Sequence, residues 1–224
     1  MLYILDTADV EDIRHCNEYY PLAGVTTNPS IIAKEHSDFW ALLSQIREII
    51  GEDMMLHVQT TEKVAEAIVE EAKLLRDRVG GNFYLKIPIC EEGLKATMML
   101  KKIGIPVTMT AIITPAQALM AARAGAEFVA PYVNRLDNIL SDGTRVVTEI
   151  VEEFTLHGIE AKVLAASFKN AEQVHKCALA GCHSATVTAD IMKTLISHPM
   201  TDAAIAGFEN DWKNVYGDRK ISDF

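Results

Sequence analysis

The chain has 224 residues, of which 49% are apolar, and its 31 acidic and 21 basic side chains give a net charge of −10. The basic residues are scattered, which disfavours a nucleic-acid or anionic-membrane surface, although a few local cations could still bind a small anionic substrate. No apolar run approaches the roughly 18 residues of a transmembrane helix and the amino terminus lacks a basic signal region, so we expect a soluble, cytoplasmic protein.

Short apolar runs alternate with longer amphipathic segments along the whole chain. The apolar runs predict eight strands, at Leu2–Leu5, Gly24–Thr26, Met54–Gln59, Phe83–Ile87, Val107–Thr110, Phe128–Val133, Lys162–Ala166 and Ala185–Thr188. The segments between them predict helices at Asp9–Tyr20, Phe39–Ile50, Glu62–Val79, Glu91–Ile103, Pro115–Ala124, Arg145–His157, Ala171–Ala180 and Ala189–Ile196. Eight βα units without a linker favour one closed (β/α)8 (TIM) barrel over residues 1–199, with a doubly wound sheet as the alternative.

Residues that are typical of helix ends support these helix boundaries. Thr7 is the predicted N-cap of the first helix, because Asp9, Glu11 and Asp12 follow it in the first turn. Four later helices are followed by a glycine, which is a common C-terminal signal, at Gly104, Gly125, Gly158 and Gly181.

A last amphipathic stretch lies beyond the eighth unit, in residues 200–224. Its apolar residues recur at helical spacing, at Ala204, Phe208, Trp212, Val215 and Tyr216. A minimal barrel has no place for an additional helix with large aromatics. This helix therefore either covers the bottom of the barrel or docks on a neighbouring subunit, and we favour the neighbour and a homo-oligomer.

Lys86 interrupts the run Phe83–Pro88, which otherwise predicts a fully buried strand. Lysine is almost never fully buried without a partner, and burial of its ammonium lowers the pKa toward a neutral, nucleophilic amine. Such an amine can form a Schiff base with a carbonyl substrate. The alternative is an edge strand from which Lys86 extends to water.

Polar residues also follow the ends of the predicted strands, where active sites of (β/α)8 barrels gather. They are Asp6, Thr26, Thr27, Asn28, Gln59, Lys86, Thr110, Tyr132, Arg135, Ser167 and Thr188. Strands often stop at polar residues, so chance would place a few of them here. Because every strand contributes a member, we interpret the ring as an active site with Lys86 as its amine.

The four cysteines form no CxxC pair and are too sparse for a disulfide framework, so we expect reduced, mostly buried thiols. Two of them lie close in sequence to histidines, in the set His175, Cys177, Cys182 and His183. Residues two apart on a helix face different ways, which argues against a metal site there.

Five segments carry a family likeness. They are Leu5–Thr7, Ala23–Ser30, Leu85–Pro88, Val129–Arg135 and Ala165–Lys169. In order and spacing they resemble the small transaldolase family, and within it the fructose-6-phosphate aldolases, and the likeness runs nearly from residue 1 to Trp212. The resemblance implies a (β/α)8 barrel with class I aldolase chemistry and no metal or other cofactor. It also implies pentameric rings paired into decamers.

The resemblance gives roles to the residues around the substrate's ketone. Lys86 would form an imine at C2 of a ketose, and the protonated imine would act as an electron sink for cleavage of the C3–C4 bond. Asp6 would orient a substrate hydroxyl or accept its proton, although it could instead belong to a helix cap. Asn28 would bind substrate hydroxyls with support from Thr26, although this segment by itself predicts only a turn.

Arg135 and Ser167 resemble the family's phosphate site. A guanidinium fork and a hydroxyl at a helix start suit a phosphate dianion. The competing interpretation is that Arg135 is a solvated surface residue, as a lone arginine after a strand usually is. We interpret Lys169 as a solvated neighbour.

Two positions bear on which reaction of the family is carried out. The resembling transaldolases usually have a glutamate and a phenylalanine where this chain has Gln59 and Tyr132. A tyrosine hydroxyl can exchange a proton through a water held by Gln59 and Thr110, which would help to protonate the enamine and hydrolyse the imine. Thr60, Thr61 and the segment Met109–Ile113 depart from the aldolase pattern and bear on substrate range.

The resemblance therefore implies a lyase that reversibly cleaves fructose 6-phosphate to dihydroxyacetone and glyceraldehyde 3-phosphate, its partners being these small molecules. One alternative is a transaldolase that transfers the three-carbon unit between sugar phosphates. Another is a non-catalytic sugar-phosphate-binding barrel. Only the last would tolerate loss of Lys86.

Overall fold

The computed structural model describes residues 1–224, and its eight parallel strands form a closed barrel in chain order. The strands are β1 (Leu2–Asp6), β2 (Leu22–Thr26), β3 (Met55–Gln59), β4 (Phe83–Pro88), β5 (Val107–Ile112), β6 (Phe128–Pro131), β7 (Lys162–Ala165) and β8 (Ser184–Val187). Because β1 pairs with β8, no edge is left open. The predicted (β/α)8 barrel is confirmed, and the doubly wound sheet and the edge-strand placement of Lys86 are wrong.

Eleven α-helices connect and follow the strands. They are α1 (Val10–Tyr19), α2 (Pro29–Lys34), α3 (Phe39–Ile50), α4 (Ala65–Val79), α5 (Glu91–Lys102), α6 (Pro115–Ala124), α7 (Val133–Asp137), α8 (Gly143–Leu156), α9 (Ala171–Leu179), α10 (Ala189–Ile196) and α11 (Pro199–Tyr216). A 3₁₀ turn at Ile221–Asp223 ends the chain.

The short helix α2 lies where the sequence predicted a turn, and the short helix α7, which was not predicted, begins at Val133, the last residue of the predicted sixth strand. Pro29 occupies the first turn of α2, and the Oδ1 of Asn28 caps it by accepting from the Ile31 N–H at 3.0 Å. β6 ends at Pro131 and α7 begins two residues later. Helices of this length contain too few turns to give a recognisable apolar period.

Asp9, not Thr7, is the N-cap of α1. Its Oδ1 accepts from the Glu11 and Asp12 N–H groups at 2.9 and 3.1 Å, while the Thr7 hydroxyl accepts from the Asp9 N–H at 3.1 Å. The carboxylate, with its full negative charge, takes the position next to the positive end of the helix.

Side chains alternate along the strands between two apolar cores. The larger core lies between the barrel wall and the helices and includes Leu85 and Ile87. A smaller core fills the barrel itself and consists of Ile4, Met55, Phe128 and Leu164. Lys86 lies between two outward-facing residues and therefore points into the barrel, where its side chain is almost completely buried.

The C-terminal helix α11 buries none of its residues. Phe208 is 71% exposed and Val215 is 69% exposed, so this helix does not cover the bottom of the barrel. Trp212 packs on Tyr216 and donates from its indole N–H to the Arg219 carbonyl at 2.7 Å, which folds the last residues back onto the helix. No helix of the protein has the length and apolar character needed to cross a membrane.

Candidate active site

A cavity of about 700 Å³ opens at the carboxyl end of the barrel. Seven of the nine predicted site residues line it: Asp6, Asn28, Gln59, Lys86, Tyr132, Arg135 and Ser167. The other two, Thr26 and Thr110, lie behind the wall and each makes a hydrogen bond to a lining residue. Residues that lie 22 to 161 positions after Asp6 in the sequence thus face one space, because the strands that precede or carry them all end at this face.

Lys86 is 3% exposed, and its Nζ donates to the Thr27 carbonyl oxygen at 3.2 Å. Its strand register places it between Gln59 on β3 and Thr108 on β5. Burial lowers the pKa of the Lys86 amine below that of an ordinary lysine, and the negative charge of Asp6 opposes the shift. The neutral amine, which is the form that attacks a carbonyl, is therefore easier to form here than on an ordinary lysine.

Asp6 ends β1 and is held from the side by a threonine hydroxyl. Thr26 donates to its Oδ1 at 2.7 Å, and the Thr26 hydroxyl in turn lies 2.6 Å from that of Thr186. The Asp6 carboxylate therefore does not cap a helix. The hydroxyl of Thr26 contacts Asp6 and not Asn28, which it was expected to support. Thr186 was not among the predicted site residues, although alternation along β8 from Thr188 places it on the inward face.

Asn28 both belongs to a turn that caps a helix and lies on the cavity wall, two placements that were considered as alternatives from the sequence. Its Oδ1 caps α2, as described above, and the residue also lines the cavity. The cap uses the oxygen, which leaves the amide N–H₂ as a donor for a ligand hydroxyl.

Tyr132 is oriented from both sides of the barrel rim. Thr110 on β5 donates to the tyrosine hydroxyl at 3.2 Å. Arg135 lies one turn along α7, with its guanidinium carbon 4.8 Å from the centre of the Tyr132 ring. The short helix α7 thereby brings a cation to the cavity wall, which a continued strand would not have done.

Ser167 follows β7 with a φ of 63°, in the left-handed region that a non-glycine residue seldom adopts. Its carbonyl accepts from the Asn134 N–H at 2.9 Å, which fixes this conformation against the start of α7. Backbone strain of this kind clusters at ligand sites. Lys169, interpreted above as a solvated neighbour, also lines the cavity, so Arg135 and Lys169 supply two cations to the wall near Ser167.

His57 is a buried group that the sequence analysis did not identify. It is fully buried, with its Nδ1 2.8 Å from the Thr108 hydroxyl and its Nε2 without a hydrogen-bond partner. Its ring stacks on Tyr84 at 4.7 Å and meets the edge of Phe128 at 5.6 Å. Burial lowers the pKa of His57 to about 3, and the charge of Lys86 contributes to the decrease. The imidazole, which lies deeper in the barrel than the Lys86 amine, is therefore neutral.

Candidate metal ligands are not gathered anywhere in the fold. No group of three or more His, Cys, Asp or Glu side chains is arranged to hold a metal ion. All four cysteines are unpaired, with Cys90 exposed and the other three buried.

Residues 3–219 match the model of a family described as transaldolase/fructose-6-phosphate aldolase. Among solved structures, one described as "Native KDPGal structure" is 16% identical with a TM-score of 0.58, covering 84% of this chain and 82% of its own. A designed cube-shaped, highly porous protein cage is 15% identical with a TM-score of 0.60, covering 96% of this chain and 77% of its own. At such low identity these two structures support the barrel fold alone.

Proposed function

The chain belongs to the transaldolase/fructose-6-phosphate aldolase family, and from this premise we propose that it reversibly cleaves fructose 6-phosphate to dihydroxyacetone and glyceraldehyde 3-phosphate. The observation that carries the proposal is Lys86, a buried lysine with a lowered pKa on the wall of the cavity at the carboxyl end of the barrel. A structural lysine has no reason to be desolvated in this way without a carboxylate partner.

The proposed reaction begins when the neutral Lys86 amine adds to C2 of the open-chain ketose and water leaves. The resulting iminium accepts the electron pair of the C3–C4 bond, which breaks as the C4 hydroxyl loses its proton and becomes the aldehyde of glyceraldehyde 3-phosphate. An enamine remains on Lys86. Protonation of its carbon and addition of water to the imine then release dihydroxyacetone and restore the amine.

Tyr132 is the proposed proton carrier for these steps. Its hydroxyl is fixed by Thr110, and Gln59 lines the same cavity. In the proposed mechanism a water held by Gln59 and Thr110 takes the C4 hydroxyl proton to Tyr132 and returns a proton to the enamine. Asp6 and Asn28 orient substrate hydroxyls.

The phosphate of the substrate is assigned to the wall that carries Arg135, Ser167 and Lys169. A guanidinium presents paired donors that suit a phosphate, and a lysine adds charge without demanding a fixed geometry. A sugar phosphate bound there would extend from this wall toward the Lys86 amine.

Transaldolase activity is the second candidate, because the matching family includes both reactions. Gln59 and Tyr132 favour the lyase, since a proton relay shortens the life of the enamine that a transferase must preserve. A non-catalytic sugar-phosphate sensor is a weaker candidate, because it would gain nothing from a buried amine.

We also propose that the enzyme is a homo-oligomer and that it is cytoplasmic. The apolar residues of α11 are exposed in the single chain, and a pentamer or decamer would cover them. Four unpaired cysteines suit a reducing compartment.

Borohydride trapping tests the proposal directly. The protein is incubated with dihydroxyacetone, reduced with sodium borohydride, digested and mapped by mass spectrometry. We expect one modified lysine, Lys86, and no modification when dihydroxyacetone is omitted. A protein that cleaves fructose 6-phosphate without any trapped lysine would rule out the imine mechanism, and modification of a different lysine would reassign the nucleophile.

A further inference from the structure

The turn after β3 is held by a carboxylate that has no place in the chemistry described so far. Glu71 accepts through Oε2 from the Thr60 hydroxyl and from the Thr61 N–H at 3.1 Å. Its Oε1 accepts from the Thr61 hydroxyl at 2.9 Å. Both carboxylate oxygens are thus used on the two residues that directly follow Gln59.

The same turn is connected to the strand that carries the amine. The Thr60 N–H donates to the Lys86 carbonyl oxygen at 3.0 Å, and Gln59 and Lys86 are register partners. Thr60 is 4% exposed, and its hydroxyl also accepts from the Glu62 N–H at 3.1 Å. Glu71 therefore fixes a buried residue that lies between Gln59 and the backbone of Lys86.

Gln59 lines the cavity without a side-chain hydrogen bond to the protein, so its position is set by its backbone, which lies at the end of β3 where this turn begins. Hydrogen bonds to a carboxylate are stronger than those between neutral groups, so Glu71 provides a firm attachment. A displacement of about 1 Å at a positioning residue can cost roughly a hundredfold in rate.

Stabilisation of α4 alone does not account for Glu71. The N-cap of α4 is Val64, which offers no capping side chain, and the Ala65 N–H is instead bound by Glu92 at 2.7 Å. Glu71 lies in the second turn of this helix, where the backbone N–H groups are already paired within the helix. Its carboxylate is committed to the turn that presents Gln59.

We propose that Glu71 is a positioning residue that holds Gln59 in place to bind the water of the Tyr132 relay, and thereby favours release of free ketol over transfer to an acceptor aldehyde. This role rests on the proposed function, since it acts through the proposed part of Gln59. It also accounts for Thr60 and Thr61, which depart from the aldolase pattern, because their hydroxyls donate the hydrogen bonds that the Glu71 carboxylate accepts.

Glu71→Ala tests the role in the full-length protein. We expect kcat for release of dihydroxyacetone from fructose 6-phosphate to fall about tenfold, with KM and borohydride trapping of Lys86 nearly unchanged. With erythrose 4-phosphate present, the ratio of sedoheptulose 7-phosphate to free dihydroxyacetone should rise. Glu71→Gln retains an oxygen acceptor and should recover part of kcat. Glu70→Ala is the matched control, because Glu70 pairs only with Lys73 on the surface and should leave the kinetics unchanged.

A double-mutant cycle separates positioning from general destabilisation. If Glu71 acts through Gln59, Glu71→Ala should change kcat and the product ratio no further in a Gln59→Ala background. If Glu71→Ala does not fold, Thr61→Val, which removes only the Oε1 bond, takes its place in the cycle. Additive effects, or a lower melting temperature with unchanged kcat and product ratio, would overturn the role alone. A wild-type protein without a trapped lysine would overturn the proposed function and this role with it.

Discussion

Lys86 Nζ lies 3.2 Å from the Thr27 carbonyl oxygen, at the point where β2 leads into α2. A carbonyl accepts a hydrogen bond but carries no full charge, so it cannot compensate a buried ammonium. Lys86 takes part in none of the ion pairs of the protein. Desolvation therefore dominates the shift of its pKa, and the charge of Asp6 only moderates it.

Replacement of the amine by a thioether of similar shape is the first test of this arrangement. We expect Lys86→Met to abolish turnover and borohydride labelling, because methionine fills the interior position without a nucleophile. The free energy of unfolding at neutral pH should stay the same or rise, since a desolvated cation is removed. The measurements are a coupled aldolase assay, intact mass after trapping, and thermal unfolding.

Lys95→Met serves as the control for this substitution, because Lys95 pairs with Glu66 on the surface and should be dispensable for activity. Retained cleavage by purified Lys86→Met would contradict the imine mechanism.

The rate of imine formation should depend on pH through the Lys86 amine. Because the folded-state pKa lies below the ordinary lysine value of 10.5, trapping with dihydroxyacetone should increase with pH and level off before that value. The stability that this group contributes is fully present above the unfolded pKa and is lost as the pH falls through the folded one.

Asp6→Asn provides the matched change of charge. It keeps an oxygen that can accept from Thr26 but removes the charge that raises the pKa of Lys86. We expect the midpoint of the trapping profile to move to lower pH. An unchanged midpoint, or a shift to higher pH, would show that Asp6 does not control the amine.

The architecture could be predicted from the sequence because each strand is a short apolar run with a distinct helix after it. Lys86 could be identified for a related reason, since an amine within such a run conflicts with its surroundings. The wall cation Arg135 was identified through the resemblance, but α7, which orients it, was not predicted. Helices as short as α2 and α7 form because local caps and the barrel rim hold them, and their sequences contain no apolar period.

Side-chain partners were the least predictable part of the site. The bonds from Thr26 to Asp6 and from Glu71 to the turn after β3 depend on register and on backbone placement, which a pattern of apolar residues does not specify. Alternation along β3 predicts that His57 points into the barrel. The lack of a hydrogen-bond partner for its Nε2 could not be predicted in this way, because it depends on every neighbouring residue in the barrel.

His57 should make the protein sensitive to mild acid. Its folded pKa of about 3 lies below the ordinary value of 6.5, so the unfolded chain takes up a proton first as the pH falls. Stability from this residue is complete above the ordinary value and declines by about 1.4 kcal/mol for each pH unit below it, until the folded pKa is reached. Urea unfolding at pH 7 and pH 5 measures the change.

His57→Phe is the matching variant, because a phenyl ring can keep the packing on Tyr84 and Phe128 while removing the titration. It should be destabilised at pH 7 by about 1 to 3 kcal/mol, since Thr108 loses its buried partner. Its loss of stability between pH 7 and pH 5 should be smaller than that of the wild type. An equal loss in the two proteins would assign the acid sensitivity to other groups.

The exposed face of α11 predicts a dependence of assembly on the C-terminal segment. Removal of the residues after Met200 should lower the mass of the particle in solution, because Phe208 and Val215 are exposed in the single chain and are expected to be covered by a neighbour. Light scattering measures this mass. Phe208→Asp should also lower the mass of the particle, although it leaves the helix in place. A truncated protein with the same mass in solution as the full-length protein would contradict the intersubunit role.

The choice between cleavage and transfer depends on Tyr132, whose hydroxyl is fixed by Thr110 at 3.2 Å. Tyr132→Phe should lower the release of free dihydroxyacetone by roughly 10²–10⁴, the usual contribution of a positioned proton carrier. The imine should still form, so borohydride trapping of Lys86 should persist. With erythrose 4-phosphate present, the longer-lived enamine should be captured, and the ratio of transfer to cleavage should rise.

Gln59→Glu added to Tyr132→Phe restores the residue pair that is usual in transaldolases, and it should raise the ratio of transfer to cleavage further. Free dihydroxyacetone and sedoheptulose 7-phosphate are assayed in the same samples of wild type, both single variants and the double variant. Thr110→Val is the intermediate case: it removes the bond to the Tyr132 hydroxyl but keeps the hydroxyl itself, so its ratio should lie between those of wild type and Tyr132→Phe. A wild-type protein that already forms mostly sedoheptulose 7-phosphate would identify the transaldolase reaction as the activity of this barrel, because its enamine would then survive with the relay intact.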